Sequence, residues 1–296
     1  MVPRCTLLFL ALACSVYADP FSELWYDGNA EISSYTLTEV RYGEPRTGER
    51  VLVFVTEPMR LATHIKPDVG LDPSEMVPVI KLIDSRRFVT GIYDYNVMSS
   101  VFAAVEEREE IPLMGTMKVA FTSQEWCGTT MERLVRGPQA FEGKLYSYFE
   151  SEGEYSYSLP HATTAQAEEV LWILVRTLRG PALQSGEQRT LQIVPSMWSR
   201  RTTHEPPALV PAVLARHSNV TLDTPLGTKQ ARRFTWESGG KQTSVFVEDA
   251  YPHRILSWSE PNGSTGMIKA SQRLPYWELN RNRDRRHREH LELLQE

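Results

Sequence analysis

Short apolar segments separated by turn signals are the feature that most restricts how this chain folds. Residues 51–56 form a continuous β-branched and apolar run, and the other segments alternate loosely between apolar and polar residues. Gly- and Pro-containing clusters at 41–48, 67–70 and 113–115 separate them. In the first half, this pattern predicts strands over 30–37, 51–56, 77–83, 90–102, 116–126, 144–149 and 155–159. Such an arrangement is typical of an antiparallel meander.

One helix interrupts the predicted strands. In residues 165–179, apolar side chains share one helical face, Thr164 is a suitable N-cap, and Gly180-Pro181 ends the segment. Further strands are predicted over 189–197, 212–222, 231–237, 243–247, 255–259 and 267–272, followed by a polar helix over 282–295. We therefore predict an α+β fold: a predominantly antiparallel β meander, shaped as a curved sheet or half-barrel, with one central helix and a polar C-terminal helix.

The first eighteen residues predict export. Arg4 supplies a positive start, an apolar run follows, and Val16-Tyr17-Ala18 offers small residues at the positions that signal peptidase reads. A second interpretation is lipidation of Cys14, because Ala11-Leu12-Ala13-Cys14 is an imperfect lipobox. The expected organisation is a signal peptide at 1–18, a β-rich body at 19–280 with possible halves 19–160 and 161–280, and a charged helix or tail at 281–296.

Charge and cysteine content exclude some classes of protein. The formal net charge is −5, which argues against nucleic acid as a general partner. Cleavage after Ala18 would remove two of the three cysteines and leave Cys127, so no intramolecular disulfide would form. Stability must then come from an apolar core, which a chain of this length can build.

Cys127 is the candidate catalytic residue. It lies between Trp126 and Gly128 after a predicted strand, and a histidine (His161, His217 or His253) could lower its pKa. The alternative is a structural cysteine packed as a small apolar side chain. Histidines are scattered, and the His287/His290 pair lies in an arginine-rich segment that would repel a cation. No metal site and no cofactor are predicted.

Aromatic side chains along the predicted strands suggest a ligand site. Tyr146 and Tyr148 keep the two-residue period of a strand, as do Tyr155 and Tyr157, so each pair lies on one sheet face. Such a stripe is explained by core packing or by an apolar cavity that holds a ligand. The candidate ligand-binding residues are Trp25, Tyr93, Tyr95, Trp126, Tyr146 and Tyr148.

Several segments resemble successive blocks of one exported family of Gram-negative bacteria. These are Trp25–Tyr35, Arg41–Glu44, Phe54–Glu57, Thr90–Tyr93, Ser123–Gly128, Lys144–Glu150 and the pair Tyr276-Trp277. The family is often labelled septum formation inhibitor Maf and has no established activity. True Maf pyrophosphatases carry a Ser-Pro-Arg-Arg-type segment after the first strand. Asp84-Ser85-Arg86-Arg87 is the nearest match here; it lacks the proline and lies between two predicted strands.

The resemblance implies a periplasmic or lipid-anchored protein of the Gram-negative envelope. Three functions remain open at this point. The first is a non-enzymatic carrier or binding module for a hydrophobic small molecule. The second is an envelope protein–protein interaction factor, and the third is a hydrolase or transferase that uses Cys127.

Overall fold

The computed structural model describes residues 19–68, 72–108, 111–180 and 183–293. The predicted signal peptide and Cys14 lie outside these residues, as do parts of the predicted turn at 67–70 and of the helix stop at Gly180-Pro181. In the described part, every helix is too short or too polar to cross a bilayer.

A strand-rich α+β fold is confirmed. The first half consists of α1 (Pro20–Trp25), β1 (Ala30–Arg41), β2 (Glu44–Arg60), β3 (Met76–Thr90), β4 (Tyr93–Ala104), β5 (Thr116–Glu125), β6 (Gly128–Arg136), β7 (Ala140–Ser147) and β8 (Glu154–Pro160). The second half consists of β9 (Gln166–Ala167), α2 (Glu168–Leu174), β10 (Gln188–Val194), α3 (Met197–Thr203), β11 (Val210–Arg216), β12 (Val220–Thr224), β13 (Gly227–Ser238), β14 (Lys241–Glu248), β15 (Ile255–Ser259), β16 (Thr265–Leu274) and α4 (Arg286–His290).

All sixteen of these strands belong to one curved, unclosed sheet, which is antiparallel except where β9 meets β10. The order begins β8-β7-β6-β5-β4-β3-β2-β1, then continues β16-β15-β14-β13-β11-β10-β9, with β12 on β13. Because β1 pairs with β16, the two predicted halves share this sheet. Antiparallel pairing also fixes where the turns lie. The turns β1–β2, β3–β4, β5–β6 and β7–β8 lie at one end of the sheet, which we call the hairpin end.

The same antiparallel pairing extends this assignment to the second half. The turns β13–β14 and β15–β16 also lie at the hairpin end, whereas the starts of β1 and β13 and the turn β14–β15 lie at the opposite end.

The largest apolar cluster lies between the sheet and the two internal helices. Leu52 and Phe54 of β2 point into it, together with Val170 and Leu171 of α2. The alternate residues of β2, such as Val53, face a second cluster under the C-terminal arm, where Leu291 packs. Both faces of β2 are therefore covered, which explains why residues 51–55 are continuously apolar.

The helices differ in detail from the sequence prediction, and a single central helix is not confirmed. Of the predicted segment 165–179, only Glu168–Leu174 is α-helical, and Met197–Thr203 forms a second internal helix. The C-terminal segment is a 3-10 turn at Asn282–Arg285 followed by the short α4.

Candidate functional site

A cleft of about 420 Å3 opens at the hairpin end, between α2, α3 and the β13–β14 and β15–β16 turns. Its apolar wall is formed by Trp172 on α2, Trp198 on α3 and Trp236 on β13. Its polar lining includes Arg86, Glu168 and Glu260, and the exposed pair Glu205 and Lys241 also borders it. This volume lies in the range of small-molecule sites, which are commonly apolar with a few placed polar groups.

Two tryptophan side chains of the cleft are positioned by hydrogen bonds that their indole N–H groups donate. The indole Nε1 of Trp236 donates to Glu168 Oε1 at 2.9 Å, and that of Trp198 donates to Glu39 Oε1 at 2.9 Å. The ring of Trp172 meets that of Trp236 edge-on, with centroids 5.6 Å apart. Because two N–H groups are already satisfied inside the protein and the three side chains are only 2–6 % exposed, they present narrow strips of apolar ring surface to the cleft.

Two neighbouring carboxyl groups of α2 fix the start of α3. Glu168 Oε2 accepts from the Ser196 amide at 2.8 Å, and Glu169 Oε1 accepts from the Met197 amide at 2.7 Å. These bonds satisfy amides at the helix N-terminus, where a carboxylate is favourable. Burial nevertheless raises the pKa of Glu168, and it raises the pKa of Glu169 to about 7.

Buried arginines fix the other side of α3. Arg200 Nη2 lies 2.6 Å from Glu132 Oε1 on β6, and Arg201 Nη1 lies 3.1 Å from Glu152 Oε1 in the β7–β8 turn. The helix is thus tied both to α2 and to the far strands of the first half. This double attachment gives the Trp198 wall a fixed position relative to the Trp236 wall.

An ionic network forms the floor of the cleft. Arg50 binds Asp84 through two hydrogen bonds of 2.7 and 2.6 Å, and its guanidinium lies over the rings of both Trp172 and Trp258, at 4.0 and 4.5 Å from their centroids. Such bidentate pairing and stacking suit arginine. The pKa of Asp84 is lowered because its arginine neighbours outweigh the effect of burial. Arg50 itself is fully buried and does not reach the cleft.

Arg86 connects this network to the cleft. It lies 3.0 Å from Glu260 and 3.5 Å from Glu39. Burial opposes its charge, but Glu260, Asp84 and Glu39 together raise the pKa of Arg86. The pKa of Glu39 is itself raised by burial. Arg86 is therefore a fixed cation whose partners are supplied by the protein.

A second hollow, of about 740 Å3, lies at the opposite end and is lined by basic side chains. It is larger than the cleft, but its basic groups are already engaged within the protein. Arg232 binds Asp249 at 2.6 Å, Arg179 pairs with Asp19, and Arg216 donates to the Leu183 carbonyl at 3.1 Å. We therefore regard the tryptophan-lined cleft as the candidate site.

None of the six predicted ligand-binding residues lines this cleft. Tyr95 comes nearest: it is buried, stacks on Phe88 with centroids 4.8 Å apart, and meets Trp198 edge-on at 6.0 Å. Trp25 is buried near the opposite end and donates to the Tyr251 hydroxyl at 3.1 Å.

The other four predicted residues lie near the hairpin end. Tyr93 is half-buried, with its ring 6.4 Å from that of Trp126. Trp126 and Tyr148 are 71 % and 77 % exposed, and Tyr146 is also exposed. The structure thus brings Tyr93, Tyr95 and Trp126 into one aromatic cluster outside the cleft.

Cys127 occupies the exposed β5–β6 turn. Glu125 raises the pKa of the thiol, through a side-chain hydrogen bond first and its charge second. The histidines considered as bases have other contacts: His161 packs on Phe141, His217 bonds Thr235, and His253 bonds the Glu248 carbonyl. This environment disfavours the thiolate, which is the nucleophilic form.

The cleft residues are far apart along the chain, so no local pattern in the sequence predicts them. One signal was available: five of the seven tryptophans (Trp172, Trp198, Trp236, Trp258 and Trp277) lie in the second half, away from the predicted aromatic stripe. Among the described residues, no group of three His, Cys, Asp or Glu side chains could hold a metal ion. Comparison of the chain with family models, curated proteins and solved structures finds no match.

Proposed function

We propose that this protein is a non-enzymatic binding module that holds a small amphipathic molecule in the tryptophan-lined cleft. The apolar part of the ligand would lie between Trp172, Trp198 and Trp236. A polar group would lie toward the exposed Glu205–Lys241 pair at the cleft border, where no buried charge must be moved.

The single observation that carries this proposal is the construction of the cleft. Its tryptophan walls are fixed by hydrogen bonds of 2.9 Å to Glu168 and Glu39, so the concavity is formed before any ligand enters. A preformed site avoids the cost of ordering side chains upon binding. The charges beneath it are paired within the protein, which favours a ligand that is largely uncharged.

An exported location remains part of the proposal, because it rests on residues 1–18 and on the family resemblance. In such a location, the cleft would shelter an apolar molecule from water. The alternative with Cys127 as a nucleophile receives less support, because Glu125 raises the pKa of that thiol.

The proposal is tested by titrating the protein with N-phenyl-1-naphthylamine, an uncharged aromatic probe, and following the fluorescence of the probe. We expect saturable binding with one site per chain. Ser199 lines the cleft on α3, and its amide lies 3.5 Å from Ser196 Oγ, a contact that does not involve its own side chain. Ser199→Trp fills the cleft and should weaken binding at least tenfold, or about 1.4 kcal/mol.

Ser156→Trp is the matched control, because Ser156 is exposed on the edge strand β8. This variant adds the same indole away from the cleft and should bind the probe as the wild type does. Equal affinity of the wild type and Ser199→Trp would place the probe elsewhere and refute the proposal.

A further inference from the structure

Four large apolar side chains stand out at the hairpin end. They are Ile92, Tyr148, Trp126 and Tyr42, with exposed fractions of 83 %, 77 %, 71 % and 59 %. These are the highest values among the large apolar side chains of the described residues. Each lies in or beside a different turn of β1–β2, β3–β4, β5–β6 and β7–β8, and we call these four residues the hairpin tips.

Turn chemistry does not explain the hairpin tips. The first turn places both Tyr42 and Gly43 at positive φ, with values of 57° and 76°, and the second places Gly91 at 58°. Asn and Asp adopt positive φ more readily than Tyr, and Ile92 has an ordinary φ, so both positions could have been polar, as turn residues commonly are. Single exposed apolar residues are ordinary on protein surfaces, but one at each of four adjacent turns forms a pattern.

Two of the hairpin tips, Tyr42 and Tyr148, are held in place by contacts with the sheet. The Tyr42 hydroxyl lies 2.9 Å from that of Tyr95 and accepts from that of Tyr93 at 3.2 Å. Tyr148 packs against Gly128, where an added Cβ would lie 2.7 Å from the tyrosine ring. These contacts fix the directions of two aromatic rings while leaving most of their surface exposed.

The spacing of the hairpin tips favours a planar partner. Adjacent strands lie ~4.8 Å apart, so successive two-stranded hairpins place their tips roughly 10 Å apart along the sheet rim. Although Tyr93 contacts Tyr42 and lies near Trp126, the tips project one per turn and do not form the flat, continuous patch of ~800 Å2 that each partner of a specific protein interface buries. Separate tips along a rim suit shallow insertion into a lipid surface, where Tyr and Trp are favoured.

The charges around the hairpin tips point to the kind of lipid. Exposed or half-exposed basic and acidic side chains are balanced there: Arg41, Arg46, Arg87 and Lys144 against Glu44, Asp94, Glu150 and Glu154. Glu44 and Arg46 also pair with each other at 2.5 Å. A surface with no dominant sign gains little from anionic lipids and matches a zwitterionic headgroup layer.

The geometry points to a lipid-docking rim: the hairpin tips insert into the interface of a zwitterionic phospholipid surface. The cleft opens at the same end of the sheet, so docking would bring its mouth close to the lipid. The inference does not depend on the cleft binding a ligand, and its test contains no cleft ligand.

The test is flotation of the full protein with vesicles of pure phosphatidylcholine. We expect the wild type to float with the vesicles. The triple variant Ile92→Ser/Trp126→Ser/Tyr148→Ser should bind at least tenfold more weakly. Its unfolding temperature should fall only slightly, because the three side chains are mostly exposed and lose few contacts. Trp277→Ser is the matched control, since Trp277 is 46 % exposed outside the hairpin tips, and it should bind like the wild type.

Lipids with brominated acyl chains add a local readout, because bromine quenches tryptophan that enters the bilayer. The quenched component should disappear in Trp126→Tyr, which keeps an aromatic ring but removes that fluorophore. The inference would be overturned if the wild type did not float with the vesicles or bound only when they contained anionic lipid. It would also be overturned if the triple variant and Trp277→Ser lost vesicle binding to the same extent. So would sedimentation showing that the hairpin tips join two copies of the chain instead of binding vesicles.

Discussion

The two ends of the sheet differ in how their buried charges are arranged and in how much apolar surface they expose. At the opposite end, Arg176 is fully buried against Glu31 and closes the space between the sheet and α2. At the hairpin end, the buried charges lie beneath a cleft that stays open between tryptophan side chains, and apolar residues project into solvent. At the opposite end, the space between the sheet and α2 is therefore sealed by internal pairing, and the hollow outside it is lined by charges that are also paired, whereas the hairpin end keeps apolar surface free for binding.

Replacing Arg176, which closes the space between the sheet and α2 at the opposite end, should produce the largest loss of stability. Arg176 binds Glu31 at 2.8 Å, donates to the Pro252 and His253 carbonyls, and lies 4.1 Å above the Phe54 ring. Arg176→Met leaves a buried carboxylate and two carbonyls without their donor. We expect it to lower the free energy of unfolding by about 3–5 kcal/mol, measured by urea denaturation.

Arg179→Met is the matched control for this prediction. The Arg179–Asp19 pair is partly exposed, so its loss should change the free energy of unfolding by only about 0–1 kcal/mol. Adding Glu31→Gln to Arg176→Met should recover part of the lost stability, because the unpaired charge is removed. If Arg176→Met and Arg179→Met lowered the free energy of unfolding by similar amounts, the Arg176–Glu31 pair would not be what closes the opposite end.

The hairpin end should show a pH dependence that originates in Glu169. Its pKa is 4.5 in the reference state and is raised to about 7 by burial in the fold. Between these values the folded protein retains a proton that the unfolded chain releases. The free energy of unfolding should therefore fall as pH rises from 4.5 to 7, with this residue contributing up to about 3 kcal/mol.

Glu169→Gln tests this prediction, because the amide oxygen can still accept from the Met197 amide. The decline in the free energy of unfolding over that pH range should become shallower in the variant, by the part that Glu169 contributes; Glu168 and Glu39, whose pKa values are also raised, keep the remainder. Urea denaturation at a series of pH values measures it. Glu23→Gln, at an exposed position of α1, should retain the decline. If Glu169→Gln left the slope of the free energy of unfolding against pH unchanged, the pH dependence would not originate in Glu169.

The smallest expected effect concerns the turn that carries Cys127. Glu125 accepts from the Cys127 amide at 2.6 Å and raises the pKa of the thiol. Glu125→Gln should lower that pKa and increase the rate of alkylation by iodoacetamide at pH 8 by roughly two- to tenfold. Glu154→Gln, at an exposed position of β8, should leave the rate unchanged. A slower reaction of Glu125→Gln would show that Glu125 does not suppress the thiolate.

The regular strands of the first half were largely predictable, because each pairs with its neighbour along the chain. The predicted segments 30–37, 77–83 and 116–126 each coincide with part of a strand. The predicted turn at 41–48 was too long: the chain turns at Tyr42-Gly43, and Pro45 and Gly48 already belong to β2. Pro45 and Gly48 favour a turn locally, but the pairing of β2 with β1 and β3 overrides this preference.

The residues that build the cleft were harder to predict, because their chemistry depends on distant partners. β6 was missed because Glu132 and Arg136 interrupt its apolar residues. In the fold Glu132 is neutralised by Arg200, and Arg136 donates to the Thr116 carbonyl at 2.8 Å. Glu168 and Glu169 gave no sign of burial in the sequence, because the amides that they bind lie almost thirty residues later. Pairing over such distances leaves no local periodicity to detect.

The most direct test of the binding site is native mass spectrometry of the protein purified from its natural source, compared with Ser199→Trp prepared in the same way. The account predicts a small-molecule adduct on the wild type that is lost upon denaturation and is absent from Ser199→Trp, whose cleft is filled. The same adduct on both proteins would contradict the account, because the bound molecule would then lie outside the tryptophan-lined cleft.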